Sequence, residues 1–598
     1  MADDLSLAAE FPTPDLDEWR GLVDKVLKGR DFDKVLVDRL ADGFDVQPLY
    51  TGIDGAAERG MPGIAPFVRG ASAVRPELGW DIRQPVNAPG VARANDEALR
   101  DLERGVTSLW VDLDQVGSDD LASLLDGVLL DLAPVALRPS AAGADRARML
   151  LALLPDGARA SLGLDPLGVW ARTGHQTSLQ DMATLAAESL RDHPAVLPIS
   201  VDVTPYVDAG ATPAQEIAIS LATGVAYLRE LDAVGVELTA AAGGIEFVYA
   251  ATADQFVTMA KLRAARLCWS RVLGAAGVHD VAQRQHVIAA ESMLTTVDPW
   301  VNMLRSTVAC FAAAVGGAEA VTVHAFDAAT GVPDELGRRV ARNTQLLLLE
   351  ESHLADVRDP AGGSWHVEQL TDDIAQSAWG RFQSIEATGA MAGYLGSGAV
   401  AADLESAWND RVRRLSTRKE QLTGVSEFPN LDEEPLDRPA RAPETSGGLP
   451  RRAPASVFED LRNAAASADP RPTIFLANLG PISVHTARAT YAQNYFEVGG
   501  VEALTNDGFD TAAAAAAGFD ASGARVAVIC SSDAVYASDA AATAEALKAA
   551  GAIAVYLAGH PGADRESYED AGIDGFIHLG SDLVAVLRTV HDQLGVSA

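Results

Sequence analysis

Histidine and cysteine are weighed first, because they supply most metal ligands, nucleophiles and general bases. The chain has eleven histidines and three cysteines. Cys268, Cys310 and Cys530 stand far apart, which makes neither a CxxC metal site nor a disulfide framework and fits a reducing cytoplasm. No close histidine pair has metal-ligand spacing, and there is no HExxH helix, phosphate-binding GxxxxGK[ST] loop or GxSxG elbow. His324 ends the run Val321-Thr322-Val323-His324, where a histidine capping a strand can be purely structural. His485 stands at the start of a helical stretch. Ser483 rather than a carboxylate lies two residues before it, and no acidic residue occurs between Asp469 and Glu497, so nothing would orient its imidazole as a ligand. Arg83 and Lys261 could hold phosphates as lone cations, or be paired with carboxylates. On this reading the chain has no catalytic, cofactor-binding or metal-ligating residue of its own.

The composition around these residues is that of a folded, soluble protein: 48% hydrophobic and 22% charged over 598 residues, too long for one core. Acidic residues outnumber basic ones 83 to 47, a net charge of −36. Such a surface repels phosphate backbones and anionic lipid, so neither nucleic acid nor membrane is expected as a partner. The start, Met1-Ala2-Asp3-Asp4, has no basic or apolar leader region, and no uncharged apolar run approaches the length of a membrane span. The expected location is the cytoplasm.

The elements that would position any chemistry alternate strand with helix. Strands are predicted at Ile82–Val86, Val106–Leu113, Pro134–Leu137, Ala160–Asp165, Leu197–Thr204, Ile245–Ala250, His286–Ala290 and Ala320–Ala325. Helical stretches lie between them, as at Ser178–Asp192, Pro213–Leu231, Asp254–Leu273 and Glu335–Glu351. Their apolar residues recur every three or four positions (Leu221, Val225, Leu228, Leu231). Eight such units over about 270 residues match a (β/α)8 barrel, and an open doubly wound sheet is the alternative that periodicity leaves standing. Before the barrel, Phe11–Arg30 reads as Pro12 and Pro14 followed by an amphipathic helix (Trp19, Leu22, Val23, Val26, Leu27), either packed on its own domain or reaching to a partner subunit. After it come helices near Asp372–Ala390 and Ala399–Arg418. The stretch Thr423–Pro454, rich in proline and charge, then reads as a linker or extended strap. From Thr473 five more units follow, with strands predicted at Thr473–Ala477, Tyr495–Val498, Val526–Cys530, Ala552–Leu557 and Gly575–His578. These suggest a flavodoxin-like sheet whose ligand edge would be Asn478–Val484 and Cys530–Ala534. The expected division is an arm over 1–45, a barrel domain over 46–395, a helical and proline-rich linker over 396–470 and a five-strand domain over 471–598.

A barrel followed by a five-strand domain is the arrangement of the B12-dependent acyl-CoA mutases, and particular segments carry the resemblance. Pro48-Leu49-Tyr50-Thr51, Pro62-Gly63-Ile64-Ala65-Pro66-Phe67-Val68-Arg69-Gly70 and Trp80-Asp81-Ile82-Arg83-Gln84 resemble the family's opening segment. Ala260-Lys261-Leu262-Arg263-Ala264-Ala265-Arg266, with Trp269 beyond it, resembles a late barrel helix. Ala341-Arg342-Asn343-Thr344-Gln345-Leu346 and Asp359-Pro360-Ala361-Gly362-Gly363-Ser364 resemble the segments that close the barrel. The resemblance implies an α/β chain: a TIM barrel plus a cobalamin-binding-domain-like parallel sheet.

The same resemblance exposes departures at the reacting positions. Where active members have a tyrosine that helps drive cobalt–carbon homolysis, this sequence has Pro85. Where they have a histidine bonded to the substrate thioester, counting back from Ala209-Gly210-Ala211-Thr212 gives Pro205. Active members carry Lys-x-Gly-x-Asp-x-His-x-x-Gly after the first strand of the B12 domain, the histidine ligating cobalt. Aligned on Gly480, the lysine, aspartate and histidine positions are Asn478, Ile482 and Val484, with Tyr495 and Gly499 downstream supporting the register. Some members are heterodimers in which one chain carries B12 and its homologue does not, and this sequence is similar to the latter. The implied role is the non-catalytic small subunit of a heterodimeric methylmalonyl-CoA mutase. Its catalytic large (alpha) subunit would hold adenosylcobalamin, while this chain would bind none. The complex would isomerise (R)-methylmalonyl-CoA and succinyl-CoA through radicals. The rivals are an active mutase ligating cobalt through His485, and a homodimeric scaffold or sensor that holds an acyl-CoA.

Overall fold

The computed structural model describes residues 15–52, 59–73, 79–442 and 447–596. The arm's expected start, Phe11–Pro14, and Pro443 of the proline-rich stretch lie outside them.

Eight parallel strands close on themselves: β1 Asp81–Val86, β2 Ser108–Val111, β3 Val135–Leu137, β4 Ala160–Leu164, β5 Val196–Asp202, β6 Ile245–Ala251, β7 Arg284–Ala289 and β8 Ala320–Thr322, with β8 pairing back to β1. Closure removes the open-sheet alternative. Side chains alternate across each strand. Ile82, Leu109, Val111, Val135, Leu137, Phe247, Tyr249, Val287 and Val321 belong to the large core between strands and helices. Trp110, Ala136, Val248 and Ile288, offset by one residue, form a separate small core inside the ring. Below that layer the interior is polar but satisfied. Arg83 Nη1 donates to Glu246 Oε1 at 3.0 Å, and Ser108 Oγ donates to Asp81 Oδ2 at 2.6 Å. Thr322 Oγ1 donates to the Arg83 carbonyl, so it accepts from His286 Nε2 at 2.7 Å, which sets that ring's tautomer. Burial first, then Arg83 and His324, push His286 well below the usual imidazole range. The barrel is therefore a packed interior rather than a pore.

The helices start where the local chemistry supplies caps. Thr212 and Gln215 form a reciprocal capping box at Pro213–Ala233, and Asp254 and Ser364 cap Gln255–Ala275 and Trp365–Ala387. The helix predicted over Glu335–Glu351 is α-helical only over Glu335–Leu346 and ends in a π turn, Leu347–Glu351. Segments that carried the resemblance are tied by buried ion pairs and hydrogen bonds. Arg263, fully buried, bridges Asp359 and Glu368; Arg69 also holds Asp359 at 2.8 Å, and Arg59 holds Glu368 at 3.1 Å. Trp80 Nε1 donates to Gln345 Oε1 at 3.1 Å, and Arg342 pairs with Asp101 at 2.6 Å.

The C-terminal sheet has strands β9 Thr473–Asn478, β10 Glu502–Leu504, β11 Val526–Cys530, β12 Ala554–Ala558 and β13 Gly575–Ile577, all parallel in the order β10-β9-β11-β12-β13. That is the flavodoxin-like order. The strand predicted at Tyr495–Val498 is instead the end of helix Ile482–Glu497 and its cap. Tyr495 and Phe496 have strand-like propensity, but both are wholly buried as a helix face against the sheet, and packing overrides propensity. Gly499 and Gly500 end the helix, and the strand follows at Glu502.

The proline-rich stretch forms no helix or strand among its described residues and crosses the carboxyl face of the barrel. Pro439 O accepts from Val332 N at 2.8 Å, and Leu449 N donates to Ala171 O at 2.7 Å. The following helix, Ser456–Ala466, is fixed to the barrel through Glu459, whose Oε1 accepts from Thr296 N at 2.6 Å and Val297 N at 3.2 Å. Among the described residues no helix is long and apolar enough to cross a membrane.

Candidate functional site

In a (β/α)8 barrel, ligands are sought at the carboxyl ends of the strands. There the chain leaves a cavity of about 140 Å3, lined by Pro85, Trp110, Thr204, Ile288, Glu291 and His324 from the barrel and by Arg441 and Arg451 from the strap. Pro85 lies within β1, opposite Trp110, and its carbonyl accepts from Arg338 Nη1 at 3.2 Å. Its ring has no polar atom to offer the cavity. Trp110 fills the ring below, edge-on to His286 at 5.8 Å, with the Arg138 guanidinium 5.7 Å above it. Pro205 is the second residue of the short helix Thr204–Asp208 after β5, where its fixed φ suits the first helical turn. His324 is buried beside Glu291. Burial presses the imidazole down to about 4, with Glu291 opposing and Arg441 reinforcing. It is thus neutral near pH 7. Burial would raise Glu291, but Arg441, His324 and Arg451 hold it well below the usual carboxylate range. A larger cleft of about 290 Å3 lies beside the mouth, but its Arg146 already pairs with Asp114 and Asp119.

Neither lone cation is a free phosphate ligand. Arg83 pairs with Glu246 and Asp81. Lys261 Nζ is buried against Glu216 Oε2 and the Ala250 carbonyl, both at 2.5 Å.

Behind the mouth lies a group that no sequence pattern marked. Asp165, at the end of β4, accepts from Tyr227 Oη, from Gly168 N at 2.9 Å and from Asp202 N at 2.9 Å. Burial outweighs these bonds and, with Asp202 nearby, lifts Asp165 to about 7. A carboxyl raised in the fold binds more protons folded than unfolded between pH ~4 and ~7, so its contribution is full below pH ~4 and lost as pH climbs to about 7. Asp165→Asn cannot titrate. Its stability, followed by urea unfolding, is expected to fall less than that of the parent chain across that window. Equal slopes would show that Asp165 ionises normally.

In the C-terminal domain, the loop after β9 is closed by the sheet itself: Leu479 N donates to Cys530 O at 2.9 Å and Gly480 N to Phe509 O at 2.9 Å. Asn478 is fully buried, with Nδ2 donating to Asn506 O at 3.1 Å. Ile482 is largely exposed and Val484 half-buried on the first turn of the helix. His485 is 3% exposed and points inward, its Nδ1 bonded to the Gly480 carbonyl at 3.0 Å, packed where Gly508 leaves room for the ring. In the other ligand loop, Ser531 Oγ donates to Leu479 O at 2.8 Å. The fold also pairs two histidines that are far apart in sequence: His560 and His578, at the ends of adjacent β12 and β13, have ring centroids 4.8 Å apart. Among the described residues no group of three His, Cys, Asp or Glu side chains could hold a metal ion.

Comparison with known proteins adds to this geometry. The family model of methylmalonyl-CoA mutase matches residues 117–448. Among similar proteins, the methylmalonyl-CoA mutase small subunit of Streptomyces virginiae is 47% identical over all of this chain and 99% of its own length. That of Propionibacterium freudenreichii subsp. shermanii is 36% identical over 99% of this chain and 97% of its own, and that of Porphyromonas gingivalis 30% identical over 99% of both. The chain belongs to the methylmalonyl-CoA mutase family.

Members of the mutase family are cobalamin-dependent isomerases, as the resemblance implied. In mutase order, the two prolines stand on the barrel's carboxyl side, Pro85 on β1 and Pro205 after β5, while Val484 and His485 stand at the first helix of the second domain. Sequence reasoning located these positions and His324. It missed Glu291, Asp165 and the strap arginines, because their partners lie dozens to more than a hundred residues away. The one available signal was arginine recurring in the proline-rich stretch.

Proposed function

We propose that the chain is the non-catalytic small subunit of a heterodimeric methylmalonyl-CoA mutase. The catalytic large subunit holds adenosylcobalamin, and the complex isomerises (R)-methylmalonyl-CoA and succinyl-CoA. The observation that carries this reading is the pair of residues at the cobalt position. Val484 has no lone pair to donate, and His485, one residue on, is 3% exposed with its ring packed against Gly508 inside the domain. The residues present do not fit a corrin's cobalt, and no chemical step is assigned to this chain. Pro85 and Pro205, which lack a hydroxyl and an imidazole where active members have them, support the same reading. The similar proteins are named small subunits, which supports a larger partner, and the arm is suited to hold it: helix Leu16–Leu27 leaves Leu22 and Val26 57% and 73% exposed. A cytoplasmic location accords with three free, buried cysteines.

The test is to mix the purified full-length chain with adenosylcobalamin, desalt it and record the spectrum, then to add the large subunit and assay turnover. No corrinoid is expected to stay with the isolated chain, and turnover is expected only with the partner present. His485→Ala in the complex is expected to leave activity little changed, since its ring packs inside the domain. A corrinoid spectrum from the chain alone, or activity lost with His485, overturns the assignment.

A further inference from the structure

The strap's path across the barrel is fixed by more than its two ends. From its first part, Arg438 Nε donates to Asp327 Oδ2 at 2.6 Å and Nη2 to Asp334 Oδ2 at 2.7 Å, both on the loop after β8. Arg441 then reaches Glu291, just beyond β7, and its Nε donates to the Gly331 carbonyl at 3.1 Å. From its last part, Arg451 Nη2 donates to the second oxygen of Glu291 at 3.1 Å, and Arg452 N donates to the Asp208 carbonyl at 2.7 Å. One largely covered carboxylate, its side chain 21% exposed, thus takes an arginine from each described half of the strap. The barrel surface is shaped to receive it. A Cβ at Gly331 would stand 2.5 Å from Pro439 O, and one at Gly448 would collide with the Ala171 carbonyl. What remains beneath is about 140 Å3, against the roughly 300–1,000 Å3 of ordinary ligand pockets.

We propose that the strap is the resident occupant of the barrel mouth, an intramolecular plug clipped by Glu291 that closes the place where an acyl thioester would otherwise enter. Two physical facts favour permanence over a hinged lid. The plug is covalently attached, so its local concentration is high whatever the solution contains. Withdrawing it would also break, together, the ion pairs of Arg441 and Arg451 with Glu291 and of Arg438 with Asp327 and Asp334. The inference goes beyond the subunit assignment and is separable from it. It concerns which side chains fill the mouth, not whether cobalt has a ligand in the second domain.

Trypsin reads the clip directly, because the bonds it would cut, Arg441–Ala442 and Arg451–Arg452, belong to the plug. In the native full-length chain both bonds are expected to resist, and in Glu291→Ala to be cut at least about tenfold faster, as the open form gains population. Should Glu291→Ala fail to fold, the double variant Arg441→Gln/Arg451→Gln is examined by hydrogen exchange. The amides of Leu449 and Arg452 are expected to lose protection while those of β6 keep theirs. Unchanged cleavage in a folded Glu291→Ala, or unchanged protection at Leu449 and Arg452 in the double variant, overturns the plug. Either result leaves the corrinoid test of the assignment untouched.

Discussion

Arg263→Met is expected to destabilise the barrel by about 3–5 kcal/mol, the cost of removing one member of a buried ion network. Arg263 is wholly buried and its two guanidinium ends meet different carboxylates, Asp359 and Glu368, on the segment that closes the barrel. Methionine keeps much of the length and restores no charge. The effect is bounded because each carboxylate keeps another cation, Arg69 for Asp359 and Arg59 for Glu368. The readout is convenient in this chain. Its nine tryptophans all precede residue 409, so indole fluorescence in urea follows the barrel and its trailing helices without the C-terminal sheet. A shift in the fluorescence midpoint worth less than about 1 kcal/mol would mean that Arg263 fills space rather than neutralising charge.

Trp110→Ala is expected to cost a similar amount, about 3–5 kcal/mol, through lost burial and the cavity left behind. This experiment asks whether the ring is solid. Trp110 is 8% exposed and touches the small inner core of Ala136, Val248 and Ile288, with the plugged mouth above it. If the barrel were an open ligand channel, the indole would face water and its removal would cost little. Full destabilisation, with fluorescence lost at one wall of the barrel and the circular dichroism of the C-terminal sheet retained, is the outcome expected of a packed interior.

Most strands were legible because buried parallel strands are short apolar runs between punctuating loops, and β11, Val526–Cys530, was bounded to the residue. The one misplaced strand shows the limit. Tyr495-Phe496-Glu497-Val498 has the composition of a strand, whereas the true β10, Glu502–Leu504, is three residues with a charge at its start. Only the sheet's demand for a helix between β9 and β10 decides between them. The candidate site divides in the same way. Pro85, Pro205 and Val484 could be located by counting within local motifs. That His485 faces inward depends on Gly508, more than twenty residues on, and that Glu291 is doubly paired depends on arginines 150 and 160 residues away. Local chemistry is readable in order along the chain; contacts made by folding are not.

The continuous ring of β1 to β8 has a consequence for assembly. Every strand has neighbours on both sides, so the barrel offers no seam into which a foreign strand could insert, and the smaller sheet ends in two strands of only three residues. Among the described residues, the backbone edges left open are short ones, those of the smaller sheet and of the hairpin Asp38–Arg39 with Asp45–Val46. A companion that packs on the barrel is gripped by side chains from helices and loops, a contact that single substitutions can weaken in steps while the barrel's interior stays intact.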